Sequence, residues 1–109
     1  MWNRYYDANE DKTYEFNLTV LPYITVPKET LKQMRDILEH EKIGKIYEAV
    51  CDYIYENKEV EFETKAEQSF FNTLIEQITR LSAPYFKKLS KLKNQSGAVR
   101  IINNTQFGI

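Results

Sequence analysis

The stretch that decides the fold is residues 64–93, which read TKAEQSFFNTLIEQITRLSAPYFKKLSKLK. Large apolar side chains recur there every three or four residues, the spacing of one buried helix face. They are Phe70, Phe71, Leu74, Ile78, Leu81, Tyr85, Leu89 and Leu92. Thr64 followed by Glu67 is a capping-box pattern that predicts where the helix begins. Pro84 removes a backbone hydrogen bond, so the helix is expected to be kinked or split there.

Two shorter helices are predicted upstream of this run. Pro27 suits the first turn of a helix that continues to about His40. A second helix is expected from about Ile43 to Glu56, because its apolar residues are again three and four apart. The fold class is therefore predicted to be mainly α, with three principal helices.

Strand-like sequence is short. Residues 14–20 alternate between apolar and polar side chains, which predicts a strand with one buried face. Residues 60–62 also alternate and fit either a second short strand or an extended loop. We expect a single domain, composed of an arm at residues 1–13, a core at 14–97 and a short strand or frayed tail at 98–109.

The composition excludes several classes of protein. The chain has 109 residues, 42% of them hydrophobic and 28% charged, which is typical of a globular domain. No segment is apolar for the roughly 20 residues that a membrane-spanning helix needs. Three glycines are too few for a glycine-rich phosphate loop.

Metal and nucleophilic chemistry find little support. The chain has one cysteine, Cys51, and one histidine, His40, so it cannot form an internal disulfide or a multi-histidine metal site. These two residues are interpreted as a buried structural cysteine and a cation at a helix C-terminus. We see no catalytic constellation, and predict a non-enzymatic protein with no metal and no cofactor.

The charges are distributed unevenly along the chain. Nine basic and 16 acidic residues give residues 1–76 a net charge of −7, whereas six basic residues and no acid give residues 77–109 a net charge of +6. Such a split favours association with a charged partner. Neutralisation of one part by the other within the folded chain is an equal alternative.

The basic residues of the last helix form the sharpest candidate site. At 100° per residue Arg80, Lys87 and Lys91 fall on one side of a continuous helix, and Lys88 flanks them. This basic face could contact phosphates or an acidic protein. The alternative is an ordinary solvated face on which lysine stems cover the edge of the core.

Three glutamates form an acidic patch at Glu59, Glu61 and Glu63. They could imitate phosphates on a basic partner or hold a hard cation through their oxygens. A third interpretation, a charged edge that prevents aggregation, is more common in proteins.

Four aromatic residues lie outside the apolar stripes and are candidate anchors for a partner. They are Trp2, Tyr5, Tyr6 and Tyr55. The remaining tyrosines and phenylalanines are better explained as core than as a stacking surface for single-stranded nucleic acid.

The order of residues from about 38 to 100 resembles a small uncharacterised domain family of bacteriophages and mobile elements, whose members often lie near phage replication genes. The resembling features are Gly44 to Val50 leading to Tyr53, the polar stretch Asn57 to Phe62, Phe70 and Phe71 before Leu74 to Ile78, Tyr85 before Lys87 and Lys88, and Gly97 before Arg100. Two departures are an apolar Arg100-Ile101-Ile102 ending in place of a Gly-Gly-Arg-like tail, and an unmatched N-terminal part.

The resemblance implies a phage or mobile-element protein, located in the cytoplasm of the bacterial host cell. By analogy with small phage inhibitors, including anti-CRISPR proteins, we expect it to bind and to inhibit or redirect a host nucleoprotein complex. The alternative is a replication-associated accessory protein that binds DNA or RNA through the basic face. A metal-dependent nuclease that uses the acidic patch ranks third. A homodimer is compatible with the long apolar helix and the aromatic arm.

Overall fold

The computed structural model describes residues 2–92 and 97–102. Within these ranges, the elements are β1 (Trp2–Asp7), β2 (Lys12–Asn17), a short 3-10 helix (Leu18–Val20), α1 (Lys28–Ile37), α2 (His40–Glu56), α3 (Lys65–Leu81), α4 (Ala83–Ser90) and β3 (Val99–Ile102). The chain divides into two compact units. We call Met1–Pro22 with Thr79–Ile109 the sheet unit, and Tyr23–Ile78 the helical unit.

The prediction of a mainly α fold with three principal helices is wrong. The described residues contain four α-helices and a three-stranded antiparallel sheet, so the fold is α+β. The expected arm at residues 1–13 supplies β1 and the turn that follows it. Its strand pattern is hidden because two of the positions that share a face with Tyr5 are the polar residues Asn3 and Asp7.

The sheet unit contains the sheet, in the order β1-β2-β3. The Oδ1 atom of Asp7 accepts hydrogen bonds from the backbone N–H groups of Asn9 (2.9 Å) and Glu10 (3.2 Å), which shapes the β1–β2 turn. Asp11 completes this turn with a positive φ of 51°, a conformation that Asp tolerates better than most residues. The hairpin therefore depends on polar residues that show no apolar period.

The boundaries of the predicted strands also change. The strand expected at residues 14–20 spans Lys12–Asn17 and gives way to the 3-10 helix. Asn17 ends it, since its side chain accepts a hydrogen bond from the N–H of Thr19 at 3.2 Å. Residues 60–62 form no strand. At the other end, β3 (Val99–Ile102) lies within residues 98–109, where the sequence predicts a short strand or a frayed tail, and residues 103–109 lie outside the described part.

The long apolar run is divided, as one of the two alternatives predicted. α3 ends at Leu81 and α4 begins at Ala83, with Pro84 in its first turn, where the missing N–H has no helical acceptor to lose. α4 packs on one face of the sheet, and its buried Phe86 stacks on Phe16 of β2 with ring centroids 4.6 Å apart.

The helical unit is held by an aliphatic core. Its side chains with less than 2% exposure are Met34, Ile46, Ile54, Leu74 and Ile78. α2 begins at His40 rather than near Ile43, so His40 is not the cation expected at a helix C-terminus. Thr64 lies at the start of α3 as predicted, since the Glu67 N–H donates to Thr64 Oγ1 at 3.3 Å, one of the two hydrogen bonds of a capping box. Within the described ranges, no helix is both long and apolar enough to cross a membrane.

Candidate binding surfaces

Lys87 is held inside the sheet unit by acidic and aromatic groups. Its Nζ forms an ion pair with the carboxylate of Asp7 and lies 3.9 Å from Glu10 Oε2. The same Nζ is 5.8 Å from the ring centroids of Tyr5 and Tyr14. Asp7 is only 5% exposed. The charge of Lys87 is therefore compensated within the unit rather than presented to a partner.

Tyr14 extends this network. Its hydroxyl donates a hydrogen bond to Glu10 Oε2. Burial of the ring, followed by the hydrogen bond and the negative charge of Glu10, raises the pKa of Tyr14 to about 12. These contacts tie the β1–β2 turn to α4.

The other three cations of the basic face are differently placed. Arg80 lies on α3, Lys88 on α4 and Lys91 just beyond it, and all three are exposed. Because the helix is interrupted at Ser82, the three do not continue one line on a single helix. Among the described residues, no acidic side chain lies within 4 Å of their charged groups.

The acidic patch lies in the segment between α2 and α3. Glu59, Glu61 and Glu63 are all exposed. Glu61 and Glu63 also line a cleft of about 210 Å³ in the helical unit. The other lining residues are Lys45, Glu48, Ala49, Asp52, Val60, Phe62 and Glu67. Five carboxylates thus border this cleft with one lysine.

The carboxylates of the cleft do not all have the same role. Glu67 is buried, accepts a hydrogen bond from Thr64 Oγ1 at 2.9 Å and lies 3.6 Å from Lys42 Nζ, so it stabilises the unit. Glu48 and Asp52 were missed by sequence reasoning. They are four residues apart on α2, a spacing that places two acids on one helix face.

Two further interpretations from the sequence concern a metal ion held by carboxylates and the roles of Cys51 and His40. In the described ranges, no group of three or more His, Cys, Asp or Glu side chains is arranged to hold a metal ion. Cys51 is exposed, so its interpretation as a buried structural cysteine is wrong. His40 and Cys51 both lie on α2. The rise per residue of an α-helix places them about 16 Å apart along its axis, too far for the hydrogen bond that a catalytic cysteine–histidine pair needs.

The four candidate aromatic anchors fall into two pairs. Tyr6 and Tyr55 are 54% and 44% exposed, which leaves much of each ring available to a partner. Tyr5 stacks on Phe16 with centroids 5.5 Å apart, and Trp2 lies under the guanidinium of Arg100 at 3.9 Å from its ring centroid. Tyr5 is therefore part of the packing, whereas Trp2 belongs to a surface pair.

The two units carry opposite net charges. Eight basic and four acidic residues give the sheet unit +4, and seven basic and 12 acidic residues give the helical unit −5. Comparison with known proteins adds no identity, because no protein-family model, curated protein or solved structure matches the chain.

Proposed function

We propose that this protein works by binding and not by catalysis. Its acidic surface, formed by Glu59, Glu61, Glu63, Glu48 and Asp52, occupies the basic nucleic-acid-binding surface of a protein in a bacterial nucleoprotein complex. One observation carries the proposal: four of these carboxylates, Glu48, Asp52, Glu61 and Glu63, are exposed or half-exposed and line one cleft in which Lys45 is the single cation. Glu59 is exposed in the same segment.

Electrostatics gives the physical reason. Carboxylates of one sign concentrated on one surface repel nucleic acid and attract the lysines and arginines that line nucleic-acid channels. A basic channel that binds this surface releases its own counterions and excludes its nucleic acid. Inhibition of the complex follows without any chemical step.

The phage resemblance of residues 38–100 supports a particular setting. A phage or mobile element gains from blocking a host defence complex in the bacterial cytoplasm, and a CRISPR effector is a nucleoprotein of this kind. Under the proposal, the protein acts there as an anti-defence inhibitor.

Affinity capture from a bacterial lysate tests the proposal with matched charge variants. The tagged protein should recover a nucleic-acid-binding protein, and Glu59→Gln/Glu61→Gln/Glu63→Gln should lose that protein at the same salt concentration. Arg80→Gln/Lys88→Gln/Lys91→Gln is the control and should retain it. Recovery of no partner at low salt, or equal recovery by both triple variants, contradicts the proposal.

A second candidate function is supported by a different observation. Arg80, Lys88 and Lys91 are exposed and have no acidic partner among the described residues, so they are suited to phosphate contacts. In that case the protein is a replication accessory that binds DNA or RNA, and binding falls steeply with salt. The absence of any gel shift with either nucleic acid at about 50 mM salt would exclude this function.

A further inference from the structure

The sheet has a second face that α4 does not cover. Alternation along the strands and the register of the pairs place Trp2, Arg4 and Tyr6 of β1 on the face opposite to Phe16. Arg100 of β3 shares this face, since it pairs with Glu15, which also pairs with Arg4. We call it the outer face, and its members are Trp2, Arg4, Tyr6, Thr13, Glu15, Asn17, Arg100 and Ile102.

The outer face is open to solvent in the described structure. None of its eight residues is buried, and Arg4, Tyr6 and Arg100 are exposed. The inner face is different, because Tyr14, Phe16 and Val99 are all buried there. This face carries one tryptophan, one tyrosine and two arginines, residue types that are enriched at interfaces.

The net charge of the sheet unit favours an anionic ligand, and two of its guanidinium groups lie on this face. Arg4 and Arg100 both flank Glu15, the one acid on the three strands of this face. The contact of Arg4 Nε with Glu15 Oε2 is 4.0 Å long, and the Arg4 side chain is 75% exposed. Asp11, in the adjoining turn, is held by the Tyr6 hydroxyl and adds a second carboxylate. The excess positive charge is therefore that of the whole sheet unit, whose net charge is +4.

The aromatic groups add a second kind of contact. Arg100 lies 3.9 Å from the Trp2 ring centroid and forms a cation–π pair with it. The Tyr6 hydroxyl donates a hydrogen bond to Asp11 Oδ1 at 2.7 Å, which restricts the orientation of the exposed ring. Ordered aromatic rings beside guanidinium groups can stack on unpaired bases while the arginines contact phosphates.

We infer that the outer face binds single-stranded nucleic acid, with Trp2, Arg100 and Tyr6 stacking on bases and Arg4 contacting the phosphate backbone. The inference does not depend on the proposed function, because it uses residues of the sheet unit alone. It also differs from binding by Arg80, Lys88 and Lys91, since those residues lie on α3 and α4 or just beyond α4.

Trp2 is the only tryptophan of the chain, so its fluorescence, excited at wavelengths where tyrosine does not absorb, reports on this face alone. Titration with a short oligothymidylate and a short oligouridylate at about 50 mM salt should quench it as bases stack. Arg4→Gln/Arg100→Gln keeps the fluorophore and should weaken binding about tenfold. Tyr55→Ala, an exposed aromatic of the helical unit, is the matched control and should bind like the unmodified protein.

Labelled-oligonucleotide anisotropy completes the test. Trp2→Ala should weaken binding at least about tenfold while circular dichroism stays unchanged. Absence of quenching with both oligonucleotides overturns the inference. So does equal quenching by a duplex of the same sequence, or binding that is lost in Lys88→Gln/Lys91→Gln and kept in Arg4→Gln/Arg100→Gln.

Discussion

The two units use charge in opposite ways. In the sheet unit the central cation, Lys87, is enclosed by Asp7 and Glu10 and serves the packing of α4 on the sheet. In the helical unit Glu59, Glu61 and Glu63 are exposed, and two of them border a cleft that other carboxylates share. Net charge alone therefore does not show which charges a partner can reach, because availability depends on the local counter-charges.

The largest expected effect tests what holds the sheet unit together. Phe86→Ala should lower the free energy of unfolding by about 4 kcal/mol, because it removes a fully buried ring that stacks on Phe16. Its neighbour Tyr85 is 38% exposed, so Tyr85→Ala should lower the free energy of unfolding clearly less than Phe86→Ala does. Urea denaturation of both variants measures the difference, and equal losses would contradict the packing described.

The second-largest expected effect on stability distinguishes Lys87, which is paired with acids, from its exposed neighbour Lys88. Lys87→Met should cost about 3 kcal/mol of unfolding free energy, because it leaves the buried Asp7 carboxylate without its cation. Lys88→Met should change it by no more than about 0.5 kcal/mol. Asp7→Asn/Lys87→Met should recover part of the loss. Indistinguishable denaturation curves for the two lysine variants would show that Lys87 is not enclosed.

A smaller effect appears at high pH. The pKa of Tyr14 is raised in the folded protein to about 12 from its usual 10.0, so folding favours the protonated hydroxyl. This contribution is complete below pH 10 and is lost as pH rises through 12. The unmodified protein should therefore lose more unfolding free energy than Tyr14→Phe between pH 10 and 12. Equal losses of unfolding free energy in the two proteins would show that the Tyr14 hydroxyl does not contribute to stability.

The smallest effect on stability is expected in the helical unit. Glu59→Gln/Glu61→Gln/Glu63→Gln should change the free energy of unfolding by less than about 0.5 kcal/mol, because the three side chains are exposed. Glu67→Gln is the matched change at a buried acid and should destabilise, since Lys42 and Thr64 contact that carboxylate. A large loss in the triple variant would assign the acidic patch to folding rather than to binding.

Part of this molecule is readable from its sequence. Helical periodicity located the apolar run that begins at Thr64, and Pro84 marked its division, because both signals are local. β1 was missed because its inner positions include Asn3 and Asp7, whose polar side chains break the alternation. The pair of Lys87 with Asp7 joins residues 80 positions apart, and no local pattern encodes such a contact.

The candidate surfaces could likewise be predicted only where their residues are close together in the sequence. Exposed glutamates at alternate positions were visible in the sequence, and Glu48 with Asp52 follow from helix spacing once α2 is placed. The outer face could not be predicted from the sequence, because Arg4 and Arg100 are brought together only by the register of their strands with β2.

Competition on the captured partner is the most direct test of the proposed function. The purified partner, loaded with its labelled nucleic acid, is titrated with the Trp2→Ala variant, so that the outer face does not compete for the label. Binding of the acidic surface to the nucleic-acid channel predicts that the label is released in step with complex formation. A stable ternary complex that retains the label would contradict the account.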